Sequence, residues 1–398
     1  MQKGNVEASY DVVIVGGGVI GSSIAYWLAA NSDFDGTIAV IERDKSYQDG
    51  STARSNSCIR QQFSTPENIQ ISQFGISFVK HVEEYLRVDD HIPELSFVEG
   101  GYLFLADSAN EPSLKKTLDI LDTQNVNDVI WQGVPQLQQR YPWLNTAGLV
   151  GGTLGIHNEG WFDPFSLLQA FKRKARSLGV SYIEDEVTDL HGNNNRIAEV
   201  ITRKSGNISC DTVVNAAGPR ARWVAEMAGL DIPVSPRKRS VFVFSCRQEV
   251  PVEPLVISPD GMYFRREGEF FICGQQPDEV DDPECLDLDV DYPFFEERLW
   301  PQLAALVPAF EAIKLVNSWA GHYAMNTVDQ NVLLGPLPDV ENFYLACGFS
   351  GHGLQQSPAI GRAVSELIVY GKYQSLNLSH FSAQRLVTGN YVRELYVV

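Results

Sequence analysis

The chain has 398 residues, 44% of them apolar, enough to bury a large core and to build two closely packed domains. Its formal charge of −19 argues against nucleic acid or an anionic membrane surface as a partner, because both reward a basic face. No apolar run reaches the roughly 18 residues that a membrane span needs, so no span is expected.

In chain order, residues 10–16 read as a buried strand, 19–30 as a helix and 37–43 as a second buried strand. That βαβ unit implies a parallel sheet covered by helices. The strand at residue 10 leaves no room for a signal or transit segment. Residues 66–87 look helical throughout, 100–106 alternate like a strand outside the first sheet, and 111–124 return to a helix. A helix with an acidic start at 163–178 leads into a strand at 180–184, and 210–218 is another buried strand. Between about 234 and 330 the runs RSVFVFSC, EPLVIS, GMYFRREG and EFFICGQ suggest an antiparallel sheet with short turns. The segment 331–371 closes with strand, loop and helix. Six cysteines at 58, 210, 246, 273, 285 and 347 form no CxxC pair, which suits reduced thiols in a cytoplasmic protein better than disulfides or a metal site.

The first helix opens on VVIVGGGVIGS, where Gly16, Gly18 and Gly21 form a GxGxxG pattern between strand and helix. Gly16 permits the tight turn, Gly18 lets backbone approach a pyrophosphate, and Gly21 lets helix and strand pack closely. The helix N-terminus offers free N–H groups and partial positive charge to phosphates. Glu42 follows Gly21 by 21 residues, at the end of the next strand, where it can accept hydrogen bonds from an adenosine ribose. The pattern predicts a dinucleotide without choosing between NAD and FAD.

Four further segments stand in a telling order: GSTARSNSCIRQQFSTPENIQIS (50–72), GWFDPFSLLQAF (160–171), VVNAAGPRA (213–221) and GFSGHGLQQSPAIGRAVSELI (348–368). Together they closely resemble the D-amino-acid oxidase superfamily of flavoproteins, in the branch of sarcosine oxidase and dimethylglycine dehydrogenase. The strings IRQQFS and GFSGHGLQQ resemble most a mitochondrial group of FAD-dependent oxidoreductase-domain proteins that assist assembly of respiratory complex I. The resemblance implies FAD, expected to be held non-covalently because the family's covalent routes need a histidine just after the second strand or a cysteine near position 322, where this chain has GSTARSNSC and His322. It also implies a fold in which a Rossmann-like FAD-binding domain of the glutathione-reductase type (1–95, 148–233, 331–398) is interleaved with an antiparallel-sheet α+β substrate domain (96–147, 234–330).

By that resemblance the cofactor is held at one end by Gly16, Gly18, Val19, Ile20, Gly21, Glu42 and Arg43. Val187 meets the adenine side and Ala217 and Gly218 the pyrophosphate, while Ser51, Thr52, Arg54 and Ser55 touch phosphates or the ring. The late loop, with Gly348, Gly351, His352, Gly353, Leu354 and Gln355, brings N–H groups and a helix N-terminus to the flavin's pyrimidine edge. His322, with Tyr323 and Asn326, falls where the family lines the flavin's face, although a histidine among apolar neighbours suits simple packing equally well.

Arg60 matches the arginine that grips the substrate carboxylate in the sarcosine oxidase branch. A buried guanidinium is costly unless an anion meets it, and its fork suits a carboxylate; an internal pair, for instance with Glu67, is the other reading. The family's second clamp, a lysine, is replaced by Gln355, which puts glycine-sized substrates in doubt. Tyr263 is a pocket wall and hydrogen-bond donor, and at most one of Arg265 and Arg266 points inward, because alternate strand residues face opposite ways. Tyr263, His352 and Gln355 complete, with Arg60, the candidate catalytic set. The lysine that promotes oxygen reduction in sarcosine oxidases aligns with Ile272, beside uncharged Phe270, Phe271 and Cys273.

The implied function is FAD-dependent oxidation of an N-substituted amino acid or related secondary or tertiary amine. Hydride passes to the flavin, the imine is hydrolysed, and the electrons go on to an unidentified acceptor, more readily than to oxygen. Two alternatives stay open: oxidation of a 2-hydroxy acid or primary D-amino acid, and a flavin-bearing assembly or interaction protein with incidental turnover.

Overall fold

The parallel core of the first sheet follows from runs such as Val12–Val15, buried on both faces as a covered parallel sheet requires. The computed structural model describes residues 8–193 and 195–395. The sheet runs Leu333–Leu337, Val340–Cys347, Gly206–Asn215, Ala8–Val15, Ile38–Glu42, Ser181–Glu184, parallel except at the first pair. Helices Val19–Ala29, Pro164–Ser177 and Gly353–Tyr370 cover one face, where Val12 and Ile14 are buried. Val13 and Val15 point to the other face, covered by helix Ala221–Met227 and by strands Val187–Asn193 and Arg196–Thr202. Those two strands continue as an antiparallel ribbon from Gly206–Asn215, and the sequence reading left them out.

The second sheet is ordered Ile313–Asn326, Val234–Cys246, Phe270–Gly274, Tyr263–Glu267, Leu255–Ile257, Tyr102–Ala106, Gly151–Gly155, Val129–Gly133. It is antiparallel except where Leu255–Ile257 runs parallel to Tyr102–Ala106. A phenylalanine-rich core, including Phe242, Phe244, Phe264, Phe271 and Phe310, fills one face. Gly151–Gly155 joins this sheet, although the sequence boundary at 148 places it with the first domain.

The helix expected over 66–87 is two, Pro66–Lys80 and Val82–Leu86. His81 leaves helical geometry at φ −118°, ψ 29°, and its Nδ1 lies 2.8 Å from the Ser77 carbonyl, taking up an acceptor of the last turn. The C-terminal helix carries Pro358 in its interior, which cannot donate to the Leu354 carbonyl. Ser357 Oγ donates to that carbonyl instead, at 2.8 Å, and keeps the turn intact. This helix crosses the first one where Gly361 leaves room for Ser23: a Cβ at 361 would stand 2.1 Å from Ser23 Oγ. The two glycine-rich helix entrances are thereby held in a fixed relation to each other.

Candidate functional site

A cleft of about 480 Å³ lies between the two sheets, within the roughly 300–1,000 Å³ typical of small-molecule sites. The residues that the sequence assigns to the cofactor all line it, except Gly21, Asn326, Gly348, His352 and Gln355, which stand behind its wall; Asn326 is fully buried and donates to Asp329 and the Asn331 carbonyl instead. One end is the first glycine turn. Gly16 has φ +100° and a Cβ there would meet the Ala216 carbonyl oxygen at 2.5 Å; at Gly21 it would meet the Gly16 oxygen at 1.9 Å. Gly18 differs: its nearest neighbour would be Thr52 Oγ1 at 3.6 Å, so its missing side chain keeps space open towards the cleft. Glu42 accepts from Gly17 N–H (2.8 Å) and Asp44 N–H (3.0 Å), so the carboxylate also holds the turn in place.

Thr52 Oγ1 accepts from Val19 N–H at 3.2 Å. Ser51 Oγ is buried with no hydrogen-bond partner among the described residues, although it borders the cleft. An orphaned hydroxyl at that place suits a polar ligand in the cleft. Arg43 and Arg220 both border the cleft, and burial, then repulsion from Arg43, hold the Arg220 guanidinium below its usual range. Two like charges there fit an anionic group. Arg54 is tied to the Gln48 and Ala320 carbonyls and to Asp49. Sequence reasoning missed Arg220, whose only signal was its place after the glycine of VVNAAGPRA.

The other end of the cleft is formed by Gly351, Gly353 and Leu354 at the start of the C-terminal helix, with Tyr263 and Tyr323 opposite. Gly351 has φ +95°, and a Cβ would collide with the Tyr323 ring at 2.4 Å. The first N–H groups of this helix have no intrahelical acceptor. Gly348 turns the chain before the helix with φ +76°. Burial holds the Tyr263 phenol neutral, well above its usual range. His322 borders the cleft and its Nε2 lies 3.0 Å from the Asp287 carbonyl, which can only accept, so Nε2 carries the proton; burial lowers its pKa.

Arg60 is 2% exposed and does not border the cleft. Its Nη1 donates to the Gln62 carbonyl, its Nη2 lies 3.1 Å from His352 Nε2, and its guanidinium carbon sits 4.1 Å from the Phe63 ring centroid. An arginine only donates, so His352 Nε2 accepts there. Gln355 Oε1 accepts from Arg60 N–H at 2.9 Å, tying the arginine's backbone to the helix start. Burial lowers the Arg60 pKa against the opposing pull of Tyr102, Glu394 and Glu159. Glu67, the other partner considered for Arg60, pairs with His380. Of the two later arginines, Arg265 is buried over the Trp161 indole and pairs with Glu267, whereas Arg266 is exposed.

A long segment without strands, 275–291, forms the remaining wall through Leu286 and Leu288. It is pinned by a nearly buried bidentate pair, Asp282 to Arg239, at 2.7 and 2.8 Å. Asp282→Ala leaves the Arg239 charge buried without its anion, at an expected cost of about 3–5 kcal/mol. Thermal unfolding checks this: the melting temperature should fall by several degrees, and an unchanged value would show the pair to be dispensable. Among the described residues no group of acidic, histidine and cysteine side chains fits a metal ion, and no helix is long and apolar enough to cross a membrane.

Three comparisons bear on this site. The profile of the DAO family, FAD dependent oxidoreductase, matches residues 11–367. The chain is 42% identical to FAD-dependent oxidoreductase domain-containing protein 1 of Bos taurus, over 96% of this chain and 86% of that protein. It is 25% identical to the sarcosine oxidase subunit beta of an Arthrobacter species, over 97% and 93% of the two chains. Among solved structures, the L-proline dehydrogenase of P. horikoshii superposes with a TM-score of 0.84 at 28% identity, covering 98% of this chain and all of that one.

Proposed function

Because this chain belongs to the DAO family of FAD dependent oxidoreductases, we propose that it oxidises an N-substituted amino acid or a related secondary or tertiary amine. The observation that carries this reading is the buried Arg60 guanidinium, tied through His352 and Gln355 to the helix start where the cleft ends. The residues fit FAD: the open space at Gly18, the orphaned Ser51 hydroxyl and the Arg43 and Arg220 charges suit its phosphates. Glu42 would hold the ribose, Val187 the adenine side, and the N–H groups of Gly351–Leu354 the pyrimidine edge.

When bound, FAD supplies the two-electron acceptor, and the protein supplies orientation and electrostatics. Arg60 would grip the carboxylate of the substrate, which fixes its neighbouring C–H towards the cleft. Tyr263 and Tyr323 wall the site, keep water out, and offer neutral phenol donors. The helix start would bring partial positive charge to the flavin's pyrimidine edge, which would favour the reduced state. Anaerobic mixing with a panel of N-methyl and cyclic amino acids tests the proposal: at least one should bleach the flavin absorbance near 450 nm. A flavin left oxidised by every amine but reduced by a 2-hydroxy acid would move the substrate class. One left oxidised by both classes would favour an interaction protein.

Electrons are expected to leave by a route other than oxygen. Reduction of oxygen passes through superoxide, which a fixed positive charge beside the flavin stabilises. Ile272 is buried with Val241, Val243 and Trp319, and its register partner Arg265 is already paired with Glu267. After anaerobic reduction, reoxidation by air-saturated buffer should be slow and reoxidation by a quinone or dye fast. Hydrogen peroxide formed at each turnover would instead identify an oxidase and point to Arg265.

A further inference from the structure

The Arg60–Gln62 turn is held by a carboxylate from a distant part of the chain. Glu159, fully buried, accepts through Oε1 from the backbone N–H groups of Gln61 (2.7 Å) and Gln62 (3.1 Å). Its Oε2 accepts from Gln62 Nε2 at 2.8 Å. Gln62 is fixed at its other end, with Thr153 Oγ1 donating to Gln62 Oε1 at 2.6 Å, and its carbonyl receives Arg60 Nη1. Space for the carboxylate comes from Gly155, where a Cβ would stand 2.0 Å from Glu159 Oε2. A chain of hydrogen bonds therefore runs from Glu159 through Gln62 to the Arg60 guanidinium.

We infer that Glu159 is a positioning residue, whose three accepted hydrogen bonds hold the Arg60 guanidinium in the orientation that grips a ligand carboxylate. The inference rests on the reading of Arg60 given above. Losing the carboxylate leaves two backbone N–H groups and an amide buried in need of acceptors, and the turn that carries Arg60 shifts to find them.

The same carboxylate makes the grip depend on pH. Burial pushes the Glu159 carboxyl up to about 7 against its hydrogen bonds to Gln61 and Gln62. The titratable groups facing it are Arg60 and Tyr102, whose phenol burial keeps neutral; His157 lies exposed on the same turn, and Glu394 acts on Arg60 from the C-terminal segment. Protonation turns one acceptor oxygen into a donor, so Glu159 no longer satisfies all three N–H groups. It also removes a negative charge, which alone would favour an anionic ligand. The three hydrogen bonds that Glu159 accepts hold the turn that carries Arg60, so the loss of positioning is expected to dominate. Ligand binding should weaken as pH falls through about 7.

The test uses the FAD-loaded protein with two carboxylates that lack a titrating amine, methoxyacetate and tetrahydrofuran-2-carboxylate. Their Kd is read from the perturbed flavin spectrum between pH 5.5 and 8.5. The wild-type Kd of the tighter ligand should rise roughly tenfold between pH 8 and 6. Glu159→Gln should bind at least about tenfold more weakly at pH 8, without a pH step and with unchanged FAD content. Gln62→Met, which leaves the backbone contacts of Glu159 in place, should lose about threefold and keep the step. A Glu159→Gln Kd equal to or tighter than wild type, or a wild-type Kd that is flat or tightens in acid, overturns the inference. If Glu159→Gln does not fold, a Gln62→Met protein with the wild-type Kd overturns it. If neither carboxylate perturbs the wild-type flavin at any pH, the reading of Arg60 as a carboxylate grip fails first.

Discussion

Gly21→Val is expected to give a protein that carries no FAD. Even one added carbon at position 21 would stand 1.9 Å from the Gly16 carbonyl oxygen, far inside contact distance, and that atom belongs to rigid backbone. The first helix must then move away from the strand that precedes it, and the turn from Gly16 to Gly18 loses its shape. The flavin absorbance per protein should fall below roughly a tenth of wild type, since the helix N-terminus no longer faces the phosphates. Gly18→Ala provides the contrast. Its Cβ has open space, 3.6 Å from Thr52 Oγ1, so that variant should fold normally and lose FAD affinity alone. Full flavin content in Gly21→Val would show that the first helix does not sit where the cofactor needs it.

The second large effect concerns Arg60→Lys. Lysine keeps the charge but loses the planar fork, and it cannot both reach the Gln62 carbonyl and stack on Phe63 as the guanidinium does. Binding of a carboxylate substrate should weaken by about 1–3 kcal/mol, seen as a KM raised by about 5- to 150-fold, with FAD content normal. A variant that loses flavin or solubility while its KM stays constant would mean that Arg60 only braces the core against His352 and Phe104.

The glycine turn at the first end of the cleft was legible because backbone geometry there dictates residue type. Gly16 and Gly21 have no room for a side chain, and an acid at the end of the second strand is needed to hold the turn. The burial of Arg60 was foreshadowed by its apolar neighbours Ile59 and Phe63, both fully enclosed. Alternation along the strand Tyr263–Glu267 separated Arg265 from Arg266, as the structure does. Tertiary partners were not legible. Glu159 sits in a polar turn 97 residues from Gln62, and nothing local distinguishes it from a surface acid. The helical stretch from Tyr292 to Leu306 went unseen; Pro293 stands in its first turn, where no donor is needed, and Pro301 lies inside it, directly after the π-helical turn Phe295–Leu299. The strand Gly151–Gly155 was hidden by its glycines, which are there because Trp131, Phe104 and Glu159 crowd their Cβ positions.

The proposed arrangement is one FAD spanning the two glycine-rich helix entrances, with Arg60 holding an acid at the far end. Its most direct test is a crystal structure of the yellow protein grown with tetrahydrofuran-2-carboxylate. The adenine is expected beside Val187 and Glu42, the flavin ring against Gly351–Leu354, and the carboxylate within hydrogen-bond reach of Arg60. A flavin ring at the Val187 end, or a carboxylate bound away from an Arg60 still enclosed by Phe63 and Phe104, would contradict it.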